Sequence, residues 1–375
     1  MEFSLRVGMA LVGWELEVKR YLCIHLREGI IESVESWSSC SSESPGGEGF
    51  LALPQPGNAH VHSADHAFPE YGVDMGLKEL VAPPHGLKHR LLESTPPSML
   101  VDAISEFYTL AWSMGLGLLV DFREGGGRGC KLAQKAKSLT PKGLKALILG
   151  RPGPEWPEGC EGLGVSSPLD YEVSTLKRLS SEHKPAMAHV AEDMEARIKG
   201  DFEGALEAGL DAIIHGVYLK REDLEAMRDK GVALIFCPQS NMWHGLGSPP
   251  IAEAFKVGVK TALGSDNASW NTPEIWGEAR AALLIARMQG FKEERAALEV
   301  LKSIMVNPYT IVGGKPPIIE EGYEAKMIIA DTSNLGIFEA LNPYSGIVKR
   351  VSTASIIARV DGGDLKELPK SKFKH

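Results

Sequence analysis

Six residues stand out by type and spacing. His60 and His62 lie two apart in "GNAHVHSADH" (57–66), which also carries His66. Residues i and i+2 of a strand share a face, so two imidazoles there converge on one point. His189 falls in "AHVAE" with Glu192 three positions on, His215 in "IIHG", and Asp266 in "LGSDN". Each follows a short apolar run of strand type. One His-x-His pair is explained as well by a surface strand as by a metal. Four strands ending in metal-type ligands are harder to ascribe to packing.

The elements that must position them follow a regular order. Residues 1–50 read as short strands, with a Ser/Gly-rich connector at 39–49. From residue 51 a strand–loop–helix pattern repeats. Strand candidates are "FLALPQPGNAHVH", "GLGLLVDF", "LKALILG", "GLGVSS", "PAMAHV", "DAIIHG", "VALIFCP" and "VKTALGSD". Helices are expected at 98–114, 170–183, 195–208, 220–230 and about 273–289. In the last, Pro273 fits the first turn, and Ile275, Ala279, Ala282, Leu283 and Ala286 share a face. Eight strands with intervening helices are the count of a TIM (β/α)8 barrel, an α/β fold whose active sites lie at the C-terminal strand ends. A second strand-rich piece follows at 316–363. The expected division is a barrel over 51–315 and a small sandwich-like β domain from both termini, 1–50 plus 316–375. The tail "KSKFKH" is expected to fray.

With these pieces in order, the chain resembles the amidohydrolase superfamily, in its deaminase-like branch. The matching residues are "HVH" (60–62), "HVAE" (189–192), "HG" (215–216), "CPQSN" (237–241) and "GSDN" (264–267), on strands one, five, six, seven and eight. The resemblance covers nearly the whole chain. It implies one divalent metal, Zn or Fe, held by His60, His62, His189 and Asp266. It implies that His215 contacts the attacking water or the substrate, and that Glu192 moves protons to the substrate ring. Two-metal members carry a bridging Lys or Glu at the end of strand three or four. Neither strand end offers one here, and Lys145 starts its strand; a single metal is expected.

These types suit hydrolysis. A bound divalent metal lowers the pKa of its water from 15.7 to about 7, which supplies hydroxide at neutral pH. Asp266 can accept the water's proton. A carboxyl at Glu192, shielded from solvent, can protonate a ring nitrogen and then the leaving ammonia. Its bland reading is an acid at a helix N-terminus. The other zinc deaminase design needs H-x-E or C-x-E followed by P-C-x-x-C; Cys237 precedes a Pro and has no second Cys nearby.

Substrate contacts are sought in the loops. "ELVAPPHGLKHRLLE" (79–93) has the length of a lid, and Lys88 or His89 could meet an anionic or carbonyl group or simply start a solvent-facing helix. His66 either lines the pocket or caps its turn. Arg123 and Glu124 follow strand two and Arg151 strand three, where an Arg can grip a carboxylate or ring carbonyl. Gln239 and Asn241 suit the edge of a heterocycle. Trp270 offers a ring to stack on, with loop packing an equal account. "EGGGRGC" (124–130) lacks the spacing and Lys-Ser/Thr ending of a phosphate loop.

The whole chain narrows the partners. A net charge of −9 over 375 residues, without a basic stripe, argues against nucleic acid. No run approaches the length of a membrane span, and the start has no clear signal-peptide pattern. Five dispersed cysteines without a CxxC pair read as reduced thiols in a cytoplasmic protein. A homo-oligomer stays open. The function expected is deamination of a pyrimidine, purine, triazine or pterin. A sibling hydrolase of cyclic amides or C–Cl bonds is the alternative, and a non-catalytic barrel scaffold is the reading from another class.

Overall fold

The computed structural model describes residues 2–153, 156–292 and 295–368. The expected frayed tail lies outside the described residues. Parallel strands Gly57–His62, Leu118–Arg123, Lys145–Gly150, Gly162–Val165, Ala186–Val190, Ala212–His215 and Ala233–Phe236 pair in sequence order. The eighth strand is split. Thr261–Leu263 pairs with the seventh, and Asp266–Asn267 pairs with the first, which joins the two edges into a barrel. The second, sixth and seventh strands are buried along their whole length. That is the signature of parallel strands covered by helices outside and packed side chains within.

Helices cover the barrel in the expected places. Pro97–Ser113 begins on Pro97 and buries Leu100, Ile104, Phe107, Tyr108 and Ala111 on one face. Ile275–Met288 buries Ile275, Ala279, Ala282, Leu283 and Ala286. It starts after Pro273, and Glu274 caps it by accepting from the Gly277 N–H. The expected 195–208 helix is two, Met194–Ile198 and Asp201–Ala208. Gly200 breaks it with φ +88°, a left-handed conformation that glycine adopts freely.

Both termini build one seven-stranded sheet, in the order Asp364–Glu367, Ile356–Asp361, Lys326–Asp331, Gly46–Pro54, Glu2–Val12, Glu17–Arg27, Ile30–Ser36. The sandwich expectation is corrected, because these strands hydrogen-bond in one continuous ladder. Met9, Leu11, Leu51 and Leu53 join the main core shared with the barrel, while Ala10, Val12 and Ala52 belong to a separate apolar cluster. The expected seam at 50/51 falls inside a strand. "FLALPQPGNAHVH" divides at Gln55–Pro56, where proline has no N–H for a ladder. The later segment is not all sheet: helix Pro343–Arg350 packs on barrel helices Ile275–Met288 and Ala296–Met305.

The thiol expectation is corrected as well. Cys23 pairs with Cys40 and Cys130 with Cys160, at Cα separations of 5.5 and 5.4 Å, within disulfide range. The partners are 17 and 30 residues apart, so only folding brings them together. Cys237 is buried and free. Among the described residues no helix is long and apolar enough to cross a membrane.

Candidate active site

The predicted ligands meet at the C-terminal mouth of the barrel. His60 and His62 end the first strand, and Asp266 opens the second piece of the eighth, which pairs with the first. Asn58 binds these two strands together. Its amide nitrogen donates to Ser265 Oγ at 2.7 Å and its oxygen accepts from the Ser265 N–H at 3.1 Å. Gly264 permits the close approach: a Cβ there would meet His60 Cβ at 2.7 Å and the His60 carbonyl oxygen at 2.8 Å. His215 and Asp266 have φ of +71° and +62°. Left-handed backbone at a residue other than glycine costs on the order of 1–3 kcal/mol and is concentrated at functional sites.

The facing atoms fit a metal. His62 Nε2 is 3.3 Å from His189 Nε2 and 3.5 Å from Asp266 Oδ1, and His60 Nε2 is 3.4 Å from Asp266 Oδ1. Ligands at 2.0–2.1 Å around a tetrahedral zinc stand about 3.3 Å apart. Both ring nitrogens of His60 are fully buried without a hydrogen-bond partner. Leaving a polar group so costs about 1–3 kcal/mol unless something binds there. The same convergence places His60, His215 and Asp266 within reach of one ion.

Neighbouring groups orient the rings. His189 Nδ1 donates to the Val165 carbonyl at 3.0 Å, and His62 Nδ1 lies 2.8 Å from Glu124 Oε1. The His189 bond leaves its Nε2 lone pair facing the site, and the Glu124 carboxylate packs beside the His62 ring. His215 differs. The Asn241 side-chain nitrogen donates to its Nδ1 at 3.0 Å, which leaves the proton on Nε2, 3.5 Å from Glu192 Oε1. This ring is thus set up to donate. Ser240 Oγ donates to Asp266 Oδ2 at 2.5 Å. Phe122 meets His60 edge-on, 4.5 Å between ring centres.

Charge states follow from burial. It lowers the pKa of His60, His189 and His215 and takes His62 down to about 3, which favours the neutral imidazole at each position. Burial alone would raise Asp266, but the close approach of His60, 3.4 Å from its Oδ1, and the nearby His215 and His62 hold it well below the carboxylate range. Glu192 moves the other way. Burial first, and the negative Asp266 second, push it up to about 8.

A cleft of about 340 Å³ opens over these groups, bordered by His62, Glu192, His215, Asp266, Arg151 and Trp270. The expected substrate contacts divide around it. Trp270 lines the cleft and donates through Nε1 to Ser240 Oγ at 3.3 Å. Arg151 lines it too, and has no hydrogen bond or ion pair among the described residues. Lys88 reaches the cleft but is engaged by Asp65 and Glu124. Arg123 is buried and folded back on the Phe122 carbonyl, Asp121 and Glu124. His89 donates to the Val81 carbonyl and borders an adjoining cavity of about 420 Å³. His66 packs on Phe107, and Gln239 binds Glu278; neither lines the cleft. Asn241 acts on His215. Asp65, Ser240 and Glu278 escaped the sequence reading, since nothing in their local pattern separates them from ordinary loop and helix polar residues.

Comparison with known proteins agrees with the fold. The amidohydrolase family model matches residues 56–360. A protein of Methanothermobacter thermautotrophicus, provisionally named an aminohydrolase, is 29% identical over 96% of this chain and 97% of its own. A 5-methylthioadenosine/S-adenosylhomocysteine deaminase of Halothermothrix orenii is 26% identical over 76% of this chain and 73% of its own. Among solved structures, the zinc complex of atrazine chlorohydrolase from Arthrobacter aurescens TC1 superposes with a TM-score of 0.80 at 16% identity, covering 100% of this chain and 97% of that one.

Proposed function

The chain belongs to the amidohydrolase family, and on that premise we propose that it is a mononuclear metal-dependent hydrolase that deaminates an N-heterocycle. The observation that carries the reading is Glu192, a carboxyl raised to about 8, facing His215 beside the histidine and aspartate cluster. The proposed ligands are His60, His62, His189 and Asp266, with zinc the first choice of ion and iron the second. When bound, such an ion supplies a Lewis acid and acidifies water.

The chain's own groups then divide the work. Asp266 takes the proton of the attacking water, its far oxygen steadied by Ser240. His215 donates from Nε2 to the attacking water's oxygen and holds it in line with the ring carbon. Glu192 enters protonated and gives its proton to the adjacent ring nitrogen. The proton held by Asp266 then passes to the departing nitrogen, which leaves as ammonia, while the added hydroxyl gives its proton back to the Glu192 carboxylate and becomes the ring carbonyl. Trp270 supplies a flat wall for the heterocycle. The relative that deaminates 5-methylthioadenosine supports placing aminopurines and their nucleosides first among candidates.

The test is ammonia release by zinc- or iron-reconstituted protein across aminopurines, aminopyrimidines, pterins and aminotriazines, with a chelated control. Metal-dependent ammonia from one class is expected. No ammonia from any class, with one metal confirmed per chain, would overturn deamination in favour of cyclic-amide or C–Cl hydrolysis.

A further inference from the structure

The segment that runs over the cleft is anchored by a single buried cation. Lys88, on helix Leu87–Ser94, is only 3% exposed. Its Nζ lies 2.6 Å from Glu124 Oε1 and 2.9 Å from Asp65 Oδ2. Each carboxylate leads to a different side of the ligand cluster. Glu124 Oε1 is also the atom 2.8 Å from His62 Nδ1. Asp65 Oδ2 also accepts from the Asn267 side chain at 2.5 Å, and Asn267 follows Asp266 on the eighth strand. Asp65 and Asn267 are fully buried.

We propose that Lys88 is a positioning residue that couples the 77–94 segment to the metal site, fixing His62 through Glu124 and the Asp266 strand through Asp65 and Asn267. This rests on the metal-site reading above. The physical reason is competition for Glu124. Its Oε2 is held by Arg123 Nη2 at 3.0 Å, on the side away from His62. Lys88 holds Oε1 on the side of the ring. Without that ammonium, Arg123 is the remaining cation on the carboxylate and draws it off His62. The ring then loses the carboxylate that stands 2.8 Å from its Nδ1 and packs it in place. Burial by itself would pull Lys88 toward neutrality; its two carboxylates overcome this and keep it charged. No substrate anion is needed to account for this lysine.

The experiment measures zinc affinity of the full-length protein by competition with a chromophoric chelator, together with thermal unfolding of the metal-free form. Lys88→Met should weaken zinc about 10–100-fold, the usual effect of losing an outer partner of a ligand, while the metal-free protein still unfolds cooperatively. Glu124→Ala should weaken it similarly. The double variant should be no worse than the poorer single one, because both act on the same ring. Wild-type affinity in Lys88→Met, or losses that multiply in the double variant, would overturn the proposal. If Lys88→Met does not fold, Glu124→Gln and Asp65→Asn carry the test, and wild-type affinity in both overturns it. Failure of the unsubstituted protein to bind zinc or iron would instead sink the metal-site reading itself.

Discussion

Glu192 Oε1 stands 3.5 Å from Nε2 of His215, across one wall of the cleft. Neither side chain owes its place to the other's strand. Glu192 follows the fifth strand and His215 ends the sixth in a left-handed conformation. Their meeting puts a carboxyl raised to about 8 and a hydrogen-bond donor side by side in the cleft lining.

Replacing Glu192 by Gln should lower kcat by about a hundredfold to ten-thousandfold, the range for loss of a general acid, with metal content unchanged. Metal analysis beside steady-state kinetics checks this. Loss of metal from Glu192→Gln would make the residue a ligand instead. The pH profile has a definite sign. The carboxyl, raised to about 8, is protonated below that value, so kcat/KM should fall as pH rises through about 8.

Removing the metal should destabilise the fold. Free ligand at a hundred times Kd stabilises by about 2.7 kcal/mol, and without it the buried nitrogens of His60 have no partner. Calorimetry with and without chelator should show Tm falling by on the order of 5 °C. An unchanged Tm would mean that the cluster holds no ion.

Gly264→Ala should disturb the site without replacing any proposed ligand. The added methyl falls within 2.7–2.9 Å of His60 backbone and Cβ atoms. Strands one and eight must part, at a cost of about 1–3 kcal/mol. Denaturant unfolding and zinc titration should both report the loss. Normal zinc affinity in a destabilised protein would show that the strands yield without moving His60.

Glu278 offers a test of pH-dependent stability. Burial raises its carboxyl from 4.5 to about 8, although it accepts from the backbone and side-chain nitrogens of Gln239. A carboxyl that holds its proton more tightly when folded adds stability that is complete below about pH 4.5 and lost as pH rises toward 8. The slope reaches at most about 1.4 kcal/mol per pH unit. Glu278→Gln should flatten stability over that window. An unchanged slope would show that Glu278 is ionised throughout.

The proposed ligands were legible because two short-range rules suffice. A strand repeats every two residues, which aligns His60 with His62. Parallel strands of a barrel all end on one side, which sends His189, His215 and Asp266 to the same mouth. Alternation of strand and helix set the fold class, and turn residues set most boundaries. The direction in which a long side chain turns is not a local property. Local sequence offers Arg123 to the substrate and leaves Lys88 between substrate and solvent, yet both are consumed by buried carboxylates, Lys88's coming from other segments. The same holds for the disulfides, the split eighth strand, and the tautomer of His215 set by Asn241 from the seventh-strand end. Each depends on which distant groups share a low-dielectric interior, where an unpaired charge is costly and its partner is chosen by packing.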